Sequence, residues 1–142
     1  MKIQSKAYGT VEVDESDIIT FEQGLIGLEQ YGQYAILNNR KTETLAWLQS
    51  LEEEHLAFVI IQPQFFKPDY KPEIRVSELA KLDIDDPADL IVFAIVVVPE
   101  DVTKMTANLK APVIINTKNR KAKQLVLNDD KYLIKEPVFA KQ

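Results

Sequence analysis

Eight consecutive apolar residues, Ile91-Val92-Phe93-Ala94-Ile95-Val96-Val97-Val98, constrain this 142-residue chain more than any other stretch. Most are β-branched or aromatic, types that suit a pleated surface. The run is far shorter than the about 20 residues a membrane helix needs. It predicts a strand that is buried on both faces or central in a sheet, with Pro99 marking its exit.

Short β-like segments punctuated by turn signals surround it, the pattern of a sandwich or barrel. Lys2 to Ala7 alternates in polarity, Tyr8-Gly9-Thr10 offers a turn, and Val11 and Val13 alternate beyond it, which predicts a hairpin. Further strands are predicted at 17–21, 34–37, 45–51, 57–62, 113–115 and 124–127. Asn38-Asn39-Arg40-Lys41, Glu52-Glu53-Glu54-His55 and Asn116 to Arg120 supply polar connections. Helix signals are few. Ser77 is placed to cap a short helix through Leu82, with Glu78 in its first turn, and a single turn is expected over 26–30. The expectation is one domain over 1–142, all-β and mainly antiparallel: a small β-barrel-like domain with one or two short helices. Closure removes exposed strand edges, and Lys118, Lys121 and Lys123 are expected to guard any that remain.

Composition excludes several chemistries. Cysteine is absent and His55 is the single histidine, so a disulfide scaffold and a zinc site are not expected. His55 follows three glutamates and reads as a surface turn residue, not part of a triad. Gly24-Leu25-Ile26-Gly27 lacks the spacing of a phosphate-binding loop. No catalytic residue, cofactor or small-molecule substrate is expected. The N-terminus carries no apolar stretch behind its lysine and does not read as a secretory signal. No membrane segment is expected either, which favours a cytoplasmic protein. The net charge of −5, with clusters at 52–54, 83–89 and 129–130, repels phosphate backbones and attracts basic partners.

Three segments stand outside the regular pattern. Gln62 to Pro72 combines three prolines with Phe65, Phe66 and Tyr70; prolines lower the ordering cost of binding, and aromatics anchor interfaces. Asp69 and Tyr70 are read as partner contacts, with Asp85 and Asp86 as charge partners. The competing reading packs Tyr70 on a barrel end and turns Phe65 into the core. In Phe21 to Tyr31, Gly24 and Gly27 suggest positive φ, and Leu25 and Leu28 suit a plug for a barrel end. In Thr106 to Asn116, Asn108 suits a turn or bulge and Pro112 the start of a strand. Lys118 to Lys123 is the one concentrated basic stretch and has no aromatic platform beside it, a weak nucleic-acid signal.

Phe21-x-x-Gly24-Leu25-Ile26-Gly27-Leu28-Glu29, Trp47-Leu48-Gln49-Ser50, Pro68-Asp69-Tyr70, Thr106-x-Asn108-Leu109-x-Ala111-Pro112 and Gln124-Leu125-Val126-Leu127 follow one another in the order of the FliW family. The chain resembles that family over nearly its whole length, with Leu28 where members often carry Phe. The resemblance implies a bacterial cytosolic regulator with a β-barrel-like fold. It further implies two partners, flagellin and the RNA-binding translational repressor CsrA. Binding CsrA would relieve repression of flagellin mRNA, and competition by flagellin would couple its level to its synthesis. Two alternatives remain open at this point: an RNA-binding barrel using Lys118 to Lys123, and a carboxylate-dependent hydrolase.

Overall fold

The β-branched segments form strands in the computed structural model, which describes residues 1–38 and 44–139. The connection expected at 38–41 lies outside the described residues except for Asn38. The strands are β1 (Lys2–Ser5), β2 (Gly9–Glu12), β3 (Ile18–Phe21), β4 (Gln33–Asn38), β5 (Leu45–Ser50), β6 (Ala57–Ile61), β7 (Leu90–Val97), β8 (Thr106–Ala107), β9 (Val113–Asn116), β10 (Lys121–Gln124) and β11 (Glu136–Pro137). One α-helix, α1 (Val76–Lys81), lies among the described residues, with short 3-10 turns between strands.

Seven of these strands close into a barrel in the order β7-β6-β5-β4-β3-β10-β9, with β9 pairing back onto β7. All contacts are antiparallel except β3 with β10, which run parallel. Alternation decides what fills the interior. Ile19, Phe21, Tyr34, Leu48, Ile60, Val113 and Ile115 converge there. The expected plug is present: Leu25 is buried in this cluster, and Leu28 and Tyr31 pack against it.

β7 is central. Its first edge takes β6 through Ala94, Ile95 and Val96. Its second edge is shared: Leu90–Phe93 pair with β9, and Val96–Val97 pair with β8. β8 and β9 are thus one strand line broken by a detour at 108–112. The Asn108 backbone N–H still donates to the Ile95 carbonyl, and the Asn108 side-chain oxygen accepts from the Ala111 N–H, closing the detour. β7 also packs on both faces. Phe93 and Ile95 face the interior, while Ala94 and Val96 face an outer layer containing Tyr70, Met105, Leu109, Leu127 and Tyr132.

Several local expectations shift. Arg75, not Ser77, is the N-cap residue of α1, and it makes no side-chain cap bond. The turn expected over 26–30 is a non-helical loop held by a Leu25–Leu28 bridge. The strand expected at 124–127 lies earlier, at Lys121–Gln124, because the tight turn before it is made by Arg120 at φ 62°. β10 is paired on both sides, so the lysines expected to guard an edge have no edge there to guard. β1 and β2 form the predicted hairpin as a separate two-stranded sheet. It is tied to β5 by the Lys6 N–H donating to the Gln49 side chain at 2.8 Å.

Two substitutions test this packing. Gly24 sits at φ 67°, and a Cβ there would lie 2.5 Å from the Glu29 Cα. Gly24→Ala is expected to cost about 2–3 kcal/mol in urea denaturation, from strain and backbone clash together. The Tyr34 hydroxyl is buried without a hydrogen-bond partner; burial, the main cause, pushes its pKa up to about 12. Tyr34→Phe is expected to raise stability by about 1 kcal/mol, because it deletes an unsatisfied polar group.

Candidate partner-binding surface

The proline- and aromatic-rich segment 62–72 leaves β6 as a 3-10 turn, Pro63–Phe65, and is then clamped against the C-terminal arm. Tyr70 is only 2% exposed. Its hydroxyl donates to the Leu109 carbonyl at 2.8 Å, and its ring meets Tyr132 edge-on at 4.7 Å between centroids. Burial holds its pKa well above that of a free tyrosine. Tyr132 in turn bonds both the N–H and the carbonyl of Lys71, and Lys67 pairs with Glu136 of β11 at 3.3 Å. Tyr70 therefore belongs to the packed interior of the outer layer. The reading that gave it to a partner is corrected to the competing one, because its only free polar atom is spent on Leu109.

Phe65 departs from expectation in the opposite sense. It is 59% exposed, where the sequence suggested an inward ring. The 3-10 turn directs it away, while Phe66 packs against the outer cluster. Phe65 and Phe66, with Leu45, Ile61, Met105 and Phe139, line an open groove of about 450 Å³. Such a groove accommodates apolar side chains and presents no cluster of acid–base groups.

Asp69, Asp85 and Asp86 are all exposed. Asp86 accepts from the Ala88 N–H and caps the turn before β7. Asp69 and Asp85 make no hydrogen bond or ion pair among the described residues, and none joins Asp69 to the 85–86 pair. The two predicted groups therefore stand as separate acidic points, not as one constructed site.

The basic stretch is neutralised where it stands. Lys118 pairs with Asp89 at 3.3 Å, Arg120 with Asp17 at 3.5 Å, Lys121 with Asp83 at 2.9 Å and Lys123 with Glu78 at 2.6 Å. The carboxyls whose pKa is displaced, Asp14, Glu29 and Glu78, are all shifted downward. A general acid working near neutrality needs the opposite shift. Among the described residues no group of three or more metal-ligating side chains is found, and no helix is long and apolar enough to cross a membrane.

Residues that sequence reasoning passed over tie the segments together. The Gln124 side chain accepts from the Ile26 N–H and donates to the Ala111 carbonyl, joining the glycine loop, the detour and β10. The Ser50 hydroxyl accepts from the Glu52 and Glu53 N–H groups, and the Gln49 amide donates to the Glu54 carbonyl. Glu52 accepts from the Gly32 and Gln33 N–H groups, both at 2.8 Å. Gln124 thus joins three of the five motif segments, and Gln49 and Ser50 of a fourth hold the backbone of the neighbouring 52–54 turn. The signal available in sequence was polar residues, Gln49, Ser50 and Gln124, inside strand segments.

A closed, mainly antiparallel barrel with its irregular loops pinned by polar side chains, and with each cation of the 118–123 stretch paired to a carboxylate, defines the class of this molecule. Comparison with known proteins gives the family. A family model described as "FliW protein" matches residues 2–138. The chain is 44% identical over 140 residues to the flagellar assembly factor FliW of Thermoanaerobacter pseudethanolicus, covering 98% of this chain and 93% of that protein. It is 46% identical to the FliW of Alkaliphilus metalliredigens, covering 98% and 86%. A crystal structure of the flagellar assembly factor FliW superposes with a TM-score of 0.94 at 33% identity, covering 100% of this chain and 99% of that one. The chain belongs to the FliW family.

Two measurements test the surface as described. Tyr70→Ala is expected to destabilise by about 3–5 kcal/mol, the cost of emptying an aromatic core site, and Tyr70→Phe by about 1 kcal/mol; urea denaturation reads both. Glu78 is held below the ordinary 4.5 chiefly by its hydrogen bond to Lys123. Its contribution to stability is therefore fully present above 4.5 and is lost as pH falls through the lower folded-state value. The stability gap between the protein and Glu78→Gln is expected at neutral pH and should vanish in acid.

Proposed function

We propose that this chain is a cytoplasmic flagellar assembly factor that works by docking and carries out no catalysis. Its partners are the translational repressor CsrA, whose release of flagellin mRNA it promotes, and flagellin, which competes for it. Family membership supports the role in flagellar assembly. The observation that carries the docking reading is the sorting of charge. Every cation of the 118–123 stretch is matched by an acid, while Asp69 and Asp85 are exposed and make no ion pair among the described residues. An RNA-binding face must be basic, so free carboxylates steer such a partner inward and repel the RNA it carries. The groove bordered by Phe65 and Phe139 adds apolar surface suited to a protein partner.

The same sorting weakens the RNA-binding alternative, since Lys118 to Lys123 offers little uncompensated charge. Asp69, Asp85 and Asp86 are proposed as contacts that guide approach. Measured by stopped flow, the association rate with CsrA should fall steeply as ionic strength rises. Asp69→Lys with Asp85→Lys should slow it by about tenfold at low salt. A rate that is flat with salt would refute the charge argument, and an RNA gel shift by the purified chain alone would favour the alternative.

A further inference from the structure

One end of the barrel combines apolar side chains with uncompensated acids. There β3 hands over to the 22–32 loop, β5 turns into β6, and β7 terminates. Register fixes which side chains meet. Ile95 pairs with Ile60 and Val96 with Val59. Alternation then places Val97 on the inward face with Ile95, alongside Phe58 of β6. Yet Val97 is 61% exposed, because the interior ends beneath it. Phe58, Leu56, Leu28 and Tyr31 are half-buried around the same opening and pack on the core below. The plug of Leu25, Leu28 and Tyr31 closes the interior at this end and leaves Val97 outside it as exposed apolar surface.

Carboxylates ring this mouth. Glu52, Glu53 and Glu54 occupy the β5–β6 turn and Glu29 the facing loop. None of the four has a lysine or arginine within ion-pair distance among the described residues, in contrast to the acids around the β9–β10 turn. The mouth is also built and not merely acidic. Glu52 bridges its turn to the Gly32 and Gln33 N–H groups, Leu51 donates to the Gln33 carbonyl, and Glu29 accepts from the Gly27 N–H. Beneath it lies the Tyr34 hydroxyl, which has no hydrogen-bond partner among the described residues and lies close enough to Glu52 to feel its charge. An apolar centre with a charged rim held in place before binding is the anatomy of a protein interface.

We propose that this mouth, centred on Val97 and Phe58 and rimmed by Glu29, Glu53 and Glu54, is a docking site for a basic protein surface that presents an apolar tip. The occupant is argued from charge complementarity: the rim carboxylates have no ion-pair partner among the described residues, and the centre is apolar. The inference rests on the docking reading above and assigns to it a surface different from Asp69, Asp85 and Asp86.

Val97→Glu and Glu54→Lys test it, because neither side chain holds the fold together. Binding of the full chain to CsrA is measured by calorimetry, beside binding of a synthetic peptide of alternating lysine and leucine. Peptide contacts are mapped by NMR. Each variant is expected to weaken both associations at least tenfold with an unchanged melting temperature. The peptide should shift resonances of Leu28, Tyr31, Leu56, Phe58 and Val97. Wild-type affinity for CsrA retained in both variants overturns the site. So does a peptide footprint elsewhere, or one dispersed over the surface. If the native chain ignores CsrA while the peptide still maps to the mouth, the identity of the partner fails and the site stands. If the native chain dimerises through this face and both variants are monomers, a second copy and not a basic partner is the occupant, and the proposal falls.

Discussion

The ladder between β7 and β9 is the contact on which the remaining architecture depends. It joins the last barrel strands to the one strand apolar enough to pack on both faces, and it converts an open sheet into a closed one. Without it, β7 and β9 would each present an unpaired edge of β-branched residues, a template for aggregation. With it, the interior around Tyr34 and Ile60 is sealed from the sides. Solvent can then approach the ring's interior only at the barrel ends, where the loops lie.

Those loops are fixed by polar side chains that leave the strands to serve backbone. Gln49, Ser50 and Gln124 each spend their hydrogen-bonding groups on loop amides and carbonyls. Buried amide and hydroxyl groups need partners, and loop backbone needs satisfaction, so each requirement answers the other. Loop backbone held in this way has little conformational freedom left to lose.

The strands were legible because their residues follow a period of two and their turns use glycine, proline and asparagine. Asn108 was legible as a turn or bulge and Pro112 as the approach to a strand, and the N-terminal hairpin as a hairpin. The handling of the second β7 edge by β8 and β9 together was not, because strand pairing over long separations leaves no local mark. Tyr70 and Phe65 exchanged roles for a related reason. Both sit in the same proline-rich segment with similar hydrophobicity, and only the placement of Leu109 and Tyr132, far away in sequence, decides which ring is enclosed. Lys118 to Lys123 looked like edge protection because its carboxylate partners, Asp17 and the 78–89 acids, lie far away in sequence. The unmet Val97 could be inferred only after the register was known.

The split partnership along β7 divides the molecule mechanically. β9 belongs to the ring, whereas β8, β11 and the tyrosine clamp hang on the short upper part of the same strand through two-residue ladders. Shearing away this outer layer breaks few backbone bonds and leaves the ring intact. Amide exchange should thus follow two tiers, with the C-terminal arm opening as a small cooperative unit well before the ring melts. Backbone pairing on this flank is sparse, and its hold on the ring rests on side chains such as Tyr70 and Tyr132.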